Sequence, residues 1–193
     1  KQQADRMLLD LKTHIEAFVR HLEKERQLSP HTVDAYRRDL RLLTNFCERT
    51  SLGIESLDSY AVRQFAAECH RRGSSPRSIA RRLSAIRSFL AFMVRGGIIK
   101  SNPASGVQAP KPSRRLPATL DADQVASLLA LAGEDDLTVR DRAMLELFYS
   151  SGLRLAELVG VDLSDLDFPD RTVRVTGKGN KVRIVPVGRY ALE

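Results

Sequence analysis

Arg154, Glu157 and Lys178 are the residues of this 193-residue chain whose types and spacing suit chemistry on an anion. Arg154 follows a glycine turn in Ser151-Gly-Leu-Arg-Leu-Ala-Glu-Leu158, where a new helix is predicted to begin. Free backbone N–H groups at a helix start favour an anion, and a planar guanidinium placed there holds two phosphate oxygens at once. Glu157, one turn further on, is placed to fix the arginine rotamer. Lys178 sits in Gly177-Lys-Gly-Asn-Lys181, a glycine-flanked turn from which a mobile ammonium reaches outward. Taken singly, each reads as structural: Arg-x-x-Glu pairs are common on helices, and a hairpin lysine is normally solvent-exposed.

A second charged feature is longer. Between Glu68 and Asp121 there is no acidic residue, yet Arg71, Arg72, Arg77, Arg81, Arg82, Arg87, Arg95, Lys100, Lys111, Arg114 and Arg115 all lie there. Charge of one sign over that length repels itself unless a polyanion lies against it, and nucleic acid is the commonest polyanion in a cell. Residues 1–115 hold 22 Lys and Arg against 11 Asp and Glu, whereas residues 116–193 hold 9 against 13. The two parts thus carry opposite net charge and different electrostatic tasks. A short charge run is usually a solvated face, but 11 cations without a counter-charge favour a phosphate-binding surface.

The elements that must position these groups begin with helices. Leu8, Leu11, Ile15, Phe18 and Leu22 share one helix face, ending near Arg26-Gln27. Ser29-Pro30 opens a second helix through Val33, Tyr36, Leu40, Leu43 and Cys47, with Arg37, Arg38 and Arg41 on its opposite face. A third runs from about Asp58 to Arg72, with Ala61, Phe65, Ala66 and Cys69 inward, and stops at Gly73. Ser75-Pro76 opens a fourth, packing Ile79, Leu83, Ile86, Leu90 and Met93 before Gly96-Gly97. Short connections imply four antiparallel helices over residues 1–107.

On the fourth helix Arg77, Arg81, Ser84 and Ser88 share a face, with Arg87 nearby. Guanidinium forks followed by small hydroxyl residues suit approach to a DNA groove; the plain alternative is an exposed face. Residues 108–118 read as a basic linker, because Pro110, Pro112 and Pro117 exclude a regular helix while Lys111, Arg114 and Arg115 extend the cationic surface. Such a linker would let the two parts close around a duplex. From 119 onward the pattern is mixed α and β. Thr119 or Asp121 caps a helix with Val125, Leu128, Leu129 and Leu131, and Asp136 to Tyr149 forms another with Val139, Met144, Leu147 and Phe148. Thr172–Thr176 and Val182–Pro186 alternate as strands around the Lys178 turn.

Other chemistries find little support. Cys47 and Cys69 lie on apolar helix faces outside any Cys-x-x-Cys or zinc-ligand spacing, and His14, His21, His31 and His70 form no cluster, so no metal site is expected. No apolar run approaches the roughly 20 residues of a membrane span, and the first residues lack the apolar stretch of a signal peptide, so a soluble cytoplasmic protein is expected.

In their wording these segments resemble the tyrosine recombinases of the phage-integrase family, in the bacterial XerC/XerD branch and nearer to XerC. The likeness rests on Ser151–Leu158, on Gly177–Lys181 followed by Val185-Pro-Val-Gly188, on Glu25–Pro30, Leu83–Phe89, Asn102-Pro-Ala104 and Ala109–Pro112, and on Val139-Arg-Asp-Arg-Ala143 with its continuation to Glu146. It implies a mainly α fold: a four-helix SAM-like core-binding domain, then the start of a mixed α/β catalytic domain at 119–193. The implied activity is site-specific strand exchange, in which a tyrosine attacks the scissile phosphate and forms a 3′-phosphotyrosyl link. By match to the motif, Arg154 grips the non-bridging oxygens, Lys178 protonates the leaving 5′-oxygen, and Lys181 matches a second, non-catalytic lysine. The bond energy is conserved, so no ATP, metal or other cofactor is implied. The implied partners are double-stranded DNA, a XerD-type recombinase in a heterotetramer on a chromosome-dimer resolution site, and a septal DNA translocase.

The family pattern continues with a His-x-x-Arg segment, a later His or Trp, and the nucleophilic tyrosine, none of which precedes Glu193. Tyr190 follows the hairpin directly, and Tyr36, Tyr60 and Tyr149 fall in the wrong region. A fragment that binds DNA without cutting it is therefore expected. The alternatives are a non-catalytic architectural or regulatory DNA-binding protein and, more weakly, an RNA-binding helical module.

Overall fold

In a computed structural model of the chain, residues 2–111, 118–177 and 179–192 are described, with side chains from residue 9 onward. Leu8 as a core residue, Pro112, Arg114, Arg115 and Pro117 in the linker, and Lys178 lie outside them. Lys1–Arg115 and Leu116–Glu193 form two compact units.

The Ser-Pro pairs act as helix starts for the expected reason. Ser29 and Ser75 each accept a backbone N–H three residues on, from Thr32 and Ser78, and each is followed by proline at the first helical position. The resulting helices are α2 (Pro30–Thr50) and α4 (Pro76–Arg95), packed with α1 (Gln2–Lys24) and α3 (Ser59–Arg71). Asp58 caps α3 through the Ala61 N–H at 2.8 Å, and Gly73 lets the chain leave α3 at φ +79°. Four apolar stripes meet in one core, where Phe18 lies within 5.6 Å of the Phe89 and Phe92 ring centres. Leu22, Leu40, Leu43, Leu83, Ile86 and Leu90 are fully buried there. Each such side chain contributes about 1.5–3 kcal/mol on burial.

After α4 the chain folds back onto the bundle. Ala104 and Val107 are buried, and Asn102 secures the return by donating to the Arg87 carbonyl at 2.9 Å and accepting the Ala104 N–H at 3.0 Å.

The second unit holds α5 (Ala122–Leu129), α6 (Asp136–Ser151), α7 (Leu155–Val159) and a three-stranded antiparallel sheet. Its strands are β1 (Leu166–Asp167), β2 (Thr172–Gly177) and β3 (Lys181–Pro186), in the order β1-β2-β3. Asp121 and Gln124 cap α5 reciprocally, and Asp135 caps α6 through the Thr138 N–H. Gly179 and Asn180 take positive φ at the β2–β3 turn, as Gly-Asn content favours.

Two expectations change here. A short strand, β1, joins the two anticipated ones. The apolar positions of α5 and α6 are also not a closed core: Leu128, Val139, Met144 and Phe148 are exposed, and only Leu153, Val173, Val175 and Val187 are buried together. The helical periodicity marks an apolar face of which Leu147 packs, partly buried, against that cluster. No helix among those residues is long and apolar enough to cross a membrane.

Candidate functional site

In the second unit the charged groups converge on one carboxylate. Arg154 is the N-cap of α7, and Glu157 reaches back to it, accepting the Arg154 backbone N–H at 2.8 Å on Oε2 and Arg154 Nη1 at 2.8 Å on Oε1. Arg183 donates through Nη2 to the same Oε2 at 3.0 Å. The Glu157 side chain is only 3% exposed, whereas those of Arg154 and Arg183 are 67% and 45% exposed. A buried anion therefore anchors two guanidiniums whose outer edges face water. The backbone bond from Arg154 holds the Glu157 carboxyl below the usual carboxylate range, helped by the Arg154 side chain and Arg183.

This geometry corrects the helix-start argument. The Arg154 N–H is already taken by Glu157, and α7 has five residues, too few for a sizeable dipole. Attraction for an anion at this point comes from the guanidinium. A β-carbon at Gly177 would lie 2.9 Å from Glu157 Oε1 and 3.9 Å from Arg154 Nη1, so the end of β2 lies against the Arg154–Glu157 pair. The next residue in the chain is Lys178. Gly177→Ala would press the carboxylate away from the three donors that hold it. We expect a cost of about 1–3 kcal/mol, read as a lower melting temperature by circular dichroism. A melt identical to that of the unaltered chain would show that the pair yields without loss.

In the first unit the cations sort by what already holds them. Arg41 and Arg77 are exposed and form no ion pair among the described residues. Arg37 pairs with Glu23 and Asp34, and Arg38 donates to the Asp34 carbonyl. Ser84 and Lys111 are exposed and Ser88 is half-buried. Arg87 is turned inward: its Nε donates to the Ala104 carbonyl at 3.0 Å and its Nη2 to that of Val107 at 2.7 Å. That guanidinium ties the 102–107 return to α4.

The run from Arg71 to Arg115 is not without counter-charge, because acids from outside it reach in. Asp39 on α2 is buried and takes Arg81 by a short hydrogen bond, while Arg82 approaches the same carboxylate at 3.8 Å. Glu68 accepts Arg49 and Arg72 at 2.6 and 2.7 Å. Arg81, half exposed, is thus held in a fixed direction between α2 and α4. Burial pushes the Asp39 carboxyl up, against the pull of Arg81 and Arg82, whereas its hydrogen bond from Arg49 holds Glu68 down.

Neither Asp39 nor Arg183 stands out from residue type and spacing. The signal for Asp39 is its place in the α2 apolar stripe, three residues after Tyr36 and four before Leu43. For Arg183 the signal lies in the register: it pairs with Val175, whose side chain is buried, so both point to one face. Cys47 and Cys69 are buried free thiols, and burial pushes Cys47 up to about 11.

Acid separates the two units. Asp135, Glu157 and Asp165 in the second unit are all held below their usual values, by Thr138, Arg154 and Arg174 respectively. Their contribution to stability is present above the unfolded-state value and lost as pH falls through the folded one. In the first unit Glu68 alone is held down in this way among the shifted carboxylates, whereas Asp39, shifted up, works in the opposite sense, so its contribution fades as pH rises. Between about pH 5 and pH 3, hydrogen exchange should therefore show the second unit opening before the first. The first unit opening earlier would contradict this assignment of the carboxylates.

Residues 15–97 match the phage integrase N-terminal SAM-like domain, and residues 118–193 match the phage integrase family. The chain is 50% identical over 185 residues to the tyrosine recombinase XerC of Pseudomonas syringae pv. syringae, covering 93% of this chain and 62% of that protein. It belongs to the phage integrase family of tyrosine recombinases. XerC of Azotobacter vinelandii is 51% identical over 185 residues, covering 95% of this chain and 62% of that protein. The chain thus spans somewhat under two thirds of the length of these relatives.

Among solved structures, the Tn1549 transposon integrase in complex with a circular intermediate DNA matches with a TM-score of 0.74 at 18% identity, over 93% of this chain and 62% of that one. A lambda integrase tetramer bound to a Holliday junction matches at 0.73 and 19% identity, over 94% and 52%. At those identities the likeness establishes the fold: a SAM-like helical domain followed by the start of the integrase catalytic domain.

Proposed function

We propose that these residues are the DNA-gripping part of a XerC-like site-specific recombinase that cuts and rejoins DNA through a 3′-phosphotyrosyl intermediate. The observation that carries this is the exposed Arg154 guanidinium, anchored on buried Glu157 beside the strand end that leads into Lys178.

In the whole protein a tyrosine oxygen attacks the scissile phosphorus as the bond to the 5′-oxygen breaks. Arg154 stabilises charge on the non-bridging oxygens, and Lys178 delivers a proton to the leaving 5′-oxygen. The phosphotyrosyl bond keeps the energy of the phosphodiester, so resealing by a 5′-hydroxyl requires no nucleotide hydrolysis. Arg37, Arg38, Arg41, Arg77, Arg81, Ser84, Ser88, Lys111, Arg114 and Arg115 supply contacts to the duplex. Arg87 is not among them, since its donors serve the chain's own carbonyls. The proposed setting is the cytoplasm, with a XerD-type partner in a heterotetramer on a chromosome-dimer resolution site and with activation by a septal DNA translocase.

Tyr190 is not the nucleophile in this reading. It lies in the short turn Arg189–Ala191, where the Arg189 guanidinium stands 5.0 Å from its ring centre. The 193-residue chain should therefore shift a duplex on a native gel, yet leave no protein–DNA species after denaturation with a nicked substrate. A denaturant-resistant species formed by this chain alone would overturn that assignment and bring Tyr190 back. Failure to shift the duplex at low salt would overturn the DNA-binding reading itself.

A further inference from the structure

We propose that Arg183 is a positioning residue for Arg154: it supplies a second positive charge to Glu157 and so leaves the Arg154 guanidinium with unspent charge for a phosphate group. This rests on the reading of Arg154 as a phosphate-gripping residue.

The argument is one of charge and donors. Glu157 carries a single negative charge, is buried, and accepts three hydrogen bonds: the Arg154 N–H, Arg154 Nη1 and Arg183 Nη2. Paired one to one, Arg154 and Glu157 would present no net charge, and a phosphate oxygen approaching the guanidinium would meet the field of the carboxylate behind it. Because Glu157 is out of water, that field is poorly screened. With Arg183 on the same carboxylate, the three groups together carry one positive charge, directed to the side where both arginines are exposed. The bond from Arg183 also gives Oε2 a second tether beside the Arg154 backbone N–H.

The fold delivers Arg183 to that place by register. It faces Val175 across the β2–β3 pair and so points to the buried side of the hairpin, where Glu157 lies. The same two strands end in Gly177 and Lys181, paired across the turn that contains Lys178. One hairpin therefore carries both the residue that completes the charge balance at Arg154 and the lysine proposed as general acid.

A simple strut would behave differently from a charge-balancing residue, and a double-substitution cycle separates them. Gln at position 157 carries no charge to be balanced and keeps one oxygen to accept an Arg154 donor, its amide nitrogen replacing the other. The 193-residue chain, labelled with nitrogen-15, is titrated with inorganic phosphate while the Arg154 side-chain resonance is followed. Arg183→Gln should weaken phosphate binding at Arg154 by about three- to tenfold, and Arg183→Lys, which keeps the charge, should recover most of it. Glu157→Gln combined with Arg183→Gln should bind within about twofold of the unaltered chain, because both unbalanced charges are gone. If Arg183→Gln binds phosphate as well as the unaltered chain, or the double variant binds no better than Arg183→Gln, the inference is overturned. Should Arg183→Gln fail to fold, the double variant alone decides it: binding about tenfold weaker than in the unaltered chain contradicts charge balance. No saturable shift of Arg154 in the unaltered chain would remove the reading of Arg154 itself, and this inference with it.

Discussion

A substrate whose leaving 5′-oxygen is replaced by sulfur should restore cleavage to Lys178→Ala and leave Arg154→Ala defective, both measured in the whole protein. Sulfur departs as a thiolate and needs no proton. A general acid becomes dispensable on that substrate, so the loss of about 10²–10⁴-fold expected for Lys178→Ala on the natural substrate should largely vanish. Arg154 acts elsewhere, on the non-bridging oxygens, whose charge develops whichever atom leaves. Its removal should cost about 10²–10³-fold on both substrates. Equal rescue of both variants, or of neither, would mean that the two roles are assigned to the wrong residues.

The second large effect is on DNA binding by the first unit. A protein that neutralises about 6–10 phosphates loses roughly 10³–10⁵-fold in affinity between 50 and 200 mM salt. The excess of basic over acidic residues in 1–115 places this chain in that regime. Individual arginines should then divide according to what holds them. Arg41→Ala and Arg77→Ala remove unpaired surface charge and should each lower the log–log salt slope by about 1. Arg81→Ala should cost about 1–3 kcal/mol, because Asp39 fixes the direction of its guanidinium and little ordering remains to be done on binding. Arg87→Ala should instead lower the melting temperature and leave the slope unchanged, since its donors serve Ala104 and Val107. A flat salt dependence, or an Arg87 variant that changes the slope as much as Arg77→Ala, would remove this division.

Much of the fold is legible in the sequence because its signals are local. Ser29-Pro30 and Ser75-Pro76 are caps whose function needs only the next three residues, and the apolar stripes of α1, α2, α3 and α4 repeat at helical spacing. What could not be read depends on contacts between distant segments. Asp39 meets Arg81 across 42 residues, and Arg183 meets Glu157 across 26; no spacing rule covers either pair. The two-residue strand β1 is too short to show alternation and exists by pairing with β2. In β3, Val182 and Ile184 look like the inward pair, yet both are exposed, because the register with Val173 and Val175 turns Arg183 and Val185 inward.

Of the candidate site, Arg154, Glu157 and Lys178 stand out by position, whereas the separate roles of Arg154 and Lys178 depend on the resemblance to the recombinase motif. Arg87 reads as a DNA contact in sequence, and only its bonds to two distant carbonyls show it turned inward.

The central claim is that Arg154 and Lys178 belong to a site that breaks a DNA phosphodiester by transfer to tyrosine. It is tested most directly by incubating the whole protein with a nicked duplex carrying its recombination site and measuring the mass of the denatured product. A covalent species equal to protein plus the 5′-side DNA strand, joined through a 3′-phosphotyrosine and lost in Arg154→Ala, is the predicted result. A protein that binds the same duplex tightly and leaves every strand uncut would contradict it.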